Sequence, residues 1–140
     1  MISFRNSITI CLLTVVSVSL VNCSTTLDIG EYITTDKPIS ITIGNNDRRD
    51  SMRLFNTKLI ELKKDTDKFE KLKSWGQVNT KKWKWTPGTF VSADIYVTVD
   101  EFHLLYYRAG SVVVGFKDKE GKYRQLSKQV KPGDLDFLSD

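Results

Sequence analysis

The sequence predicts an α+β domain: a single antiparallel sheet of about five or six strands with one helix packed on a face. Three observations carry that expectation. Segments that alternate apolar and polar residues recur from Lys37 onward, and period two marks a half-buried strand. One stretch, 65–79, switches to helical spacing. The last four strand segments are joined by "DE", "AG" and "DKEG", connections so short that only antiparallel neighbours can be joined by them.

Each element has its own justification. "KPISITIG" (37–44) sets Ile39, Ile41 and Ile43 against Ser40 and Thr42, a strand with one dry face. "GNNDRRD" (44–50) is rich in residues that tolerate unusual backbone angles and reads as a turn. A second strand is expected within "MRLFNTKLIELK" (52–63). In 65–79, Asp65 or Thr66 can cap the helix and Asp67 suits the positive end of its dipole. Phe69, Leu72, Trp75 and Gly76 then fall on one side. Four strands follow, at 89–99, 102–108, 111–117 and 122–130, and the chain closes on a turn with Leu135, Phe137 and Leu138 as a short apolar tag.

The N-terminal stretch has a different character. Arg5 precedes Ile8–Val21, "ITICLLTVVSVSLV", fourteen uncharged and mostly apolar residues. That is the length of a signal-peptide core and short of the roughly 20 residues of a spanning helix. Leu20-Val21-Asn22-Cys23 follows at once. Over about its first 24 residues the chain resembles bacterial lipoprotein precursors, with Asn22 standing where such boxes usually carry Gly, Ala or Ser. The resemblance implies that the Cys23 thiol takes a diacylglyceryl group and that the chain is cut before it. The freed amine then takes a further acyl chain of the palmitate type. Two or three acyl chains make a stable anchor where one is marginal.

The implied organisation is a signal peptide over 1–22, a lipidated N-terminus and tether over 23–36, and one domain over 37–140. Cleavage would leave 118 residues, enough for one core. The two cysteines are Cys11 and Cys23, so the lipidated form has no thiol free to make a disulfide. Ser24 after the Cys, in place of Asp, implies a periplasm-facing site on the outer membrane where the host has one.

"TKKWKWTPGTF" (80–90) interleaves Lys81, Lys82 and Lys84 with Trp83 and Trp85. On an extended chain both tryptophans share a face and Lys82 and Lys84 take the other. The leading expectation is a strand whose tryptophans cover the core and whose lysines are solvated. An exported domain does not meet nucleic acid, so that partner is excluded. The other reading is contact with a partner or an anionic envelope surface, where Lys attracts and Trp sits at the interface. From Lys58 to Lys84 nine lysines face four acidic residues, a local balance of +5.

Catalytic patterns are scarce. His103 is the only histidine, which excludes two-His metal motifs, and no G-x-S-x-G surrounds any serine. Carboxylates such as Asp94 with Asp100 or Glu101 could pair, though acidic residues at a hairpin need no catalytic explanation. Asn45, Asn46, Asp47 and Asp50 do not match the spacing of an EF-hand calcium loop. Tyr96, Phe102, Tyr106, Tyr107 and Phe116 read as cross-strand packing before they read as a sugar platform. The expectation is therefore a membrane-anchored, non-enzymatic binding module for an envelope protein, either inhibitor or immunity-type or accessory to a complex. It calls for no cofactor and no metal. The alternative is a lipid-anchored envelope hydrolase using carboxylates and His103.

Overall fold

Ile39 and Ile41 lie buried on one side of β2 (Ile39–Ile43), with Ile43 half-buried beside them, as period two requires. This register propagates. Ile41 faces Ile60 of β3 (Lys58–Leu62) on one flank and Val97 of β5 (Ile95–Val99) on the other. Val97 in turn faces Leu104 of β6 (Phe102–Tyr107), Leu104 faces Val114 of β7 (Ser111–Lys117), and Val114 faces Leu126 of β8 (Tyr123–Gln129). One line of aliphatic side chains thus crosses six strands on the same face. The structure, a computed structural model, describes residues 24–44, 58–88 and 92–140.

Among the described residues the sheet has eight strands, and with β1 at Ser24–Thr25 and β4 at Trp83–Trp85 their order is β1-β4-β8-β7-β6-β5-β2-β3, all antiparallel. The class is the expected one, α+β with a single antiparallel sheet and one main helix, but the strand count of five or six is corrected to eight. The additions are β1 (Ser24–Thr25) and β4 (Trp83–Trp85), two and three residues long. A strand is expected at Trp83–Trp85 but stands outside the five or six counted, and β1, at two residues, carries no period to read. The strand expected over 89–99 begins only at Ile95, although the Asp94 amide already donates to the Tyr106 carbonyl at 3.0 Å and its carbonyl accepts from the Gly44 amide at 2.8 Å; 89–91 lie outside the described residues, as do 45–57 with the turn and part of the strand expected there.

Helix α2 (Asp67–Val78) matches its expected side. The Thr66 hydroxyl accepts from the Phe69 amide at 3.3 Å, capping the first turn, and Phe69, Leu72, Trp75 and Gly76 are the buried residues. Chain order places α2 between β3 at one edge of the sheet and β4 next to the other, so the helix crosses the core face. Gly76 permits a close approach: a Cβ there would stand 3.2 Å from Cβ of Ile29.

The stretch expected as a tether over 23–36 meets the domain in its described part, 24–36. Leu27, Ile29 and Ile33 are core residues, and Ile33 belongs to a one-turn helix, α1 (Gly30–Ile33). Tyr32 stacks on Phe102 with ring centroids 4.8 Å apart. Leu135 and Leu138, around a 3-10 turn at Asp136–Leu138, close the core from the other chain end. Among the described residues no helix is long and apolar enough to cross a membrane.

If 24–36 were a mere linker, Ile29→Ala would be silent. Because Ile29 is fully buried against the helix, the substitution is expected to cost about 2–5 kcal/mol, as aliphatic truncations in cores do. Urea denaturation of the two proteins measures it.

Candidate functional site

The lysine–tryptophan segment forms the second strand from one edge of the sheet. β4 pairs with β8 through Lys84 opposite Ser127 and Trp85 opposite Leu126, and with β1 through Ser24 opposite Lys84 and Thr25 opposite Trp83. Leu27 adds a hydrogen bond from its amide to the Thr80 carbonyl at 2.8 Å. The N-terminal segment is therefore stitched along the length of this stretch.

The two tryptophans part company. Trp83 is fully buried and its indole N–H donates to the Asn79 carbonyl at 2.7 Å, so the one polar atom of the ring is satisfied where water is excluded. Trp85 is 66% exposed. The expectation that both cover the core is thus corrected for Trp85. It shares the core-side face through its partner Leu126, but at the rim of the sheet little remains above it to bury it. Lys81, Lys82 and Lys84 are exposed, and Lys82 enters the strand in the left-handed conformation, φ 66°.

Lys128 of β8 completes the edge. Its ammonium lies 5.9 Å from the centre of the Trp83 ring and donates to the Lys81 carbonyl at 2.6 Å. Burial, and then the neighbouring Lys82 charge, pull its pKa below the ordinary lysine value. Beside Trp85 an open groove of about 440 Å³ is lined by Thr25, Thr26, Leu27, Phe116 and Leu126, with Asp118 and Arg124 also lining it. The Arg124 guanidinium donates to Asp118 at 2.8 Å, and the backbone amides of Lys122 and Glu120 bond the same carboxylate. These partners, Arg124 foremost, hold the Asp118 carboxyl below its ordinary pKa.

The opposite face of the sheet carries His103. It pairs in register with Thr98 and Gly115 and lines an open groove of about 480 Å³ with Leu105, Val113, Gly115, Tyr123, Gln125, Pro87 and Gly88. Among the described residues neither helix lies on this face; the buried side chains of both belong to the other. Tyr123, 56% exposed, lies across Gly115, where a Cβ would come within 2.1 Å of its hydroxyl. The Gln125 amide donates to the Gly88 carbonyl at 2.6 Å, closing one wall. The aromatic cluster of the sequence divides between the faces. Phe102, Tyr106 and Phe116 enter the core, while Tyr96 and Tyr107 alternate onto the His103 side.

The carboxylates do not converge. Asp94 precedes β5 and Asp100 and Glu101 follow it, so five strand residues, roughly 17 Å, separate the ends. Asp94 accepts from the Arg108 amide at 2.8 Å, Asp100 lies 3.9 Å from the Lys37 ammonium, and Glu101 is paired with Lys117. Among the described residues no group of three or more His, Cys, Asp or Glu side chains could hold a metal ion. Cys23 lies outside the described residues, as does the 45–50 loop. Sequence reasoning missed the Trp85 groove and the Tyr123 shelf. An isolated glycine inside the strand "SVVVGFK" was the available signal for the second, since it marks a close approach.

Comparison of the chain with protein-family models, with curated proteins and with solved structures finds no match in any of the three.

Two outcomes check this geometry. Trp83→Ala is expected to cost about 3–5 kcal/mol and Trp85→Ala about 1–2 kcal/mol, since only a third of its surface is covered. Thermal melts of the single variants separate them. Asp118 has a folded pKa below its ordinary 3.8. Its contribution is therefore complete above that value and is lost as pH falls through the lower folded pKa. Melting temperature should drop more steeply below pH 3.8 in the native chain than in Asp118→Asn.

Proposed function

We propose that the protein is a membrane-anchored bacterial lipoprotein whose domain is a non-enzymatic binding module for an envelope protein. The partner would be an enzyme or toxin that it restrains, or a complex to which it is accessory. The single observation that carries the binding role is the composition of the His103 face. Leu105, half-buried over the buried Val113, forms an apolar centre, Tyr96, Tyr107 and Tyr123 surround it, and His103, Gln125, Ser127 and Lys117 supply a polar rim. Aromatic anchors around a dry centre with a hydrated rim are the anatomy of protein interfaces.

Anchoring fits that role. A module held at the membrane meets a membrane-bound partner at high effective concentration, so modest intrinsic affinity suffices. The lipid anchor itself rests on the resemblance of residues 1–24 to lipoprotein precursors, with Cys23 as the attachment point and Ser24 directing the protein to the periplasmic side of the outer membrane.

The test is site-specific photo-crosslinking in intact cells, with a photoreactive residue in place of Tyr123 and, for comparison, in place of Lys71 on the exposed side of α2. Position 123 is expected to give one discrete protein adduct that position 71 does not, and Leu105→Lys should reduce its yield at least about tenfold, as loss of an interface anchor does. Equal adducts from both positions, or an adduct indifferent to Leu105→Lys, would remove the His103 face as the binding surface.

A further inference from the structure

We infer that the sheet edge formed by β1 and β4 (the β4 edge), with Trp85 at its tip and Lys81, Lys82 and Lys84 along it, rests on an anionic phospholipid surface. This rests on the lipid-anchored reading above and specifies how the domain sits on its membrane.

The argument begins with distance along the chain. Ser24 is already paired with Lys84, Thr25 with Trp83, and the Leu27 amide is bonded to Thr80. Cys23 is the next residue, and one residue of extended chain spans at most about 3.6 Å. A lipid on Cys23 would therefore be attached beside Trp85 with no linker to swing on. The anchor would fix which edge meets the bilayer, and that edge is this one.

The chemistry of the edge suits such a surface. Trp85 is 66% exposed at the point where the chain leaves the sheet, and an indole with an apolar body and one polar N–H settles at the headgroup level. Three exposed lysines flank it, each worth about fivefold in attraction to an anionic leaflet. The groove behind Trp85 is floored by Leu27, Phe116 and Leu126, and the one carboxylate lining it, Asp118, is held by Arg124. Opposing negative charge is thus neutralised where it would matter. The burial of Trp83 leaves Trp85 as the aromatic free to insert.

Intrinsic fluorescence reads this directly. Full-length protein, purified after expression with a labelled fatty acid, is mixed with vesicles of phosphatidylcholine or of phosphatidylcholine with phosphatidylglycerol, each containing a lipid brominated near the headgroup. Trp75 and Trp83 are buried, so shallow quenching reports Trp85, and Trp85→Phe supplies the control. The expected result is quenching in anionic vesicles that is lost in Trp85→Phe and reduced severalfold in the triple Lys81→Gln, Lys82→Gln, Lys84→Gln variant. It should also weaken between 0.15 M and 1 M salt as the screening length falls from about 8 to 3 Å. Label on Cys23 without Trp85 quenching would overturn the docked edge and leave the lipid anchor standing. Quenching without label would support the edge and overturn the anchor, and neither signal would overturn both.

Discussion

One constraint shapes the described residues: a wide sheet buries its main core on one face, and one substantial helix among them covers it. Eight strands at the usual spacing span roughly 34 Å. A twelve-residue helix is roughly 18 Å long and about 10 Å across, so α2 leaves much of the core face open. The chain makes up the difference with its ends. Leu27, Ile29 and Ile33 come from the N-terminal side and Leu135 and Leu138 from the C-terminal side, all packed with Phe69, Leu72 and Trp75 of the helix. Apolar side chains at these places are structural because, among the described residues, they are the layer that excludes water there.

The same constraint explains what could be read from the sequence and what could not. Ile39-Ile41-Ile43, the Thr66 cap with Phe69, Leu72, Trp75 and Gly76, and the three short connections of the C-terminal meander are local signals, and the structure realises each locally. The N-terminal stretch was illegible because its apolar residues follow neither period, and their burial depends on Gly76, nearly fifty residues away, leaving room for Ile29. Trp85 was misplaced for a related reason. Period two fixes the face on which a side chain lies, but coverage of that face near the rim is set by elements distant in the chain. For the candidate sites, residue types were visible while neighbours were not. Nothing in the spacing of Asp118 and Arg124 announces that they line the same groove as Leu27.

The two faces of the sheet divide the possible roles. The core side ends at its rim in a basic, aromatic edge next to the first described residues, and the other side presents tyrosines and aliphatic residues around His103. With the domain resting on its β4 edge, the sheet would stand away from the bilayer and the His103 face would remain open sideways. Membrane contact and partner contact would then make no competing demand on the same side chains.

The pairing of β1 with β4 also has a consequence in time. β5 to β8 form a meander whose turns are a few residues long, so their contacts close quickly. Ser24, by contrast, must find Lys84 sixty residues later in the chain, and long loops close late because their entropy is lost before any contact rewards it. On this ground the N-terminal segment would dock among the last. Until it does, Trp83 and the helix face around Gly76 stay wet, and the exposed hydrophobic seam lies next to the residue that would carry the lipid. Folding of the domain and its capture at a membrane would therefore be coupled in sequence, with the anchor holding the seam at an interface while its final cover arrives.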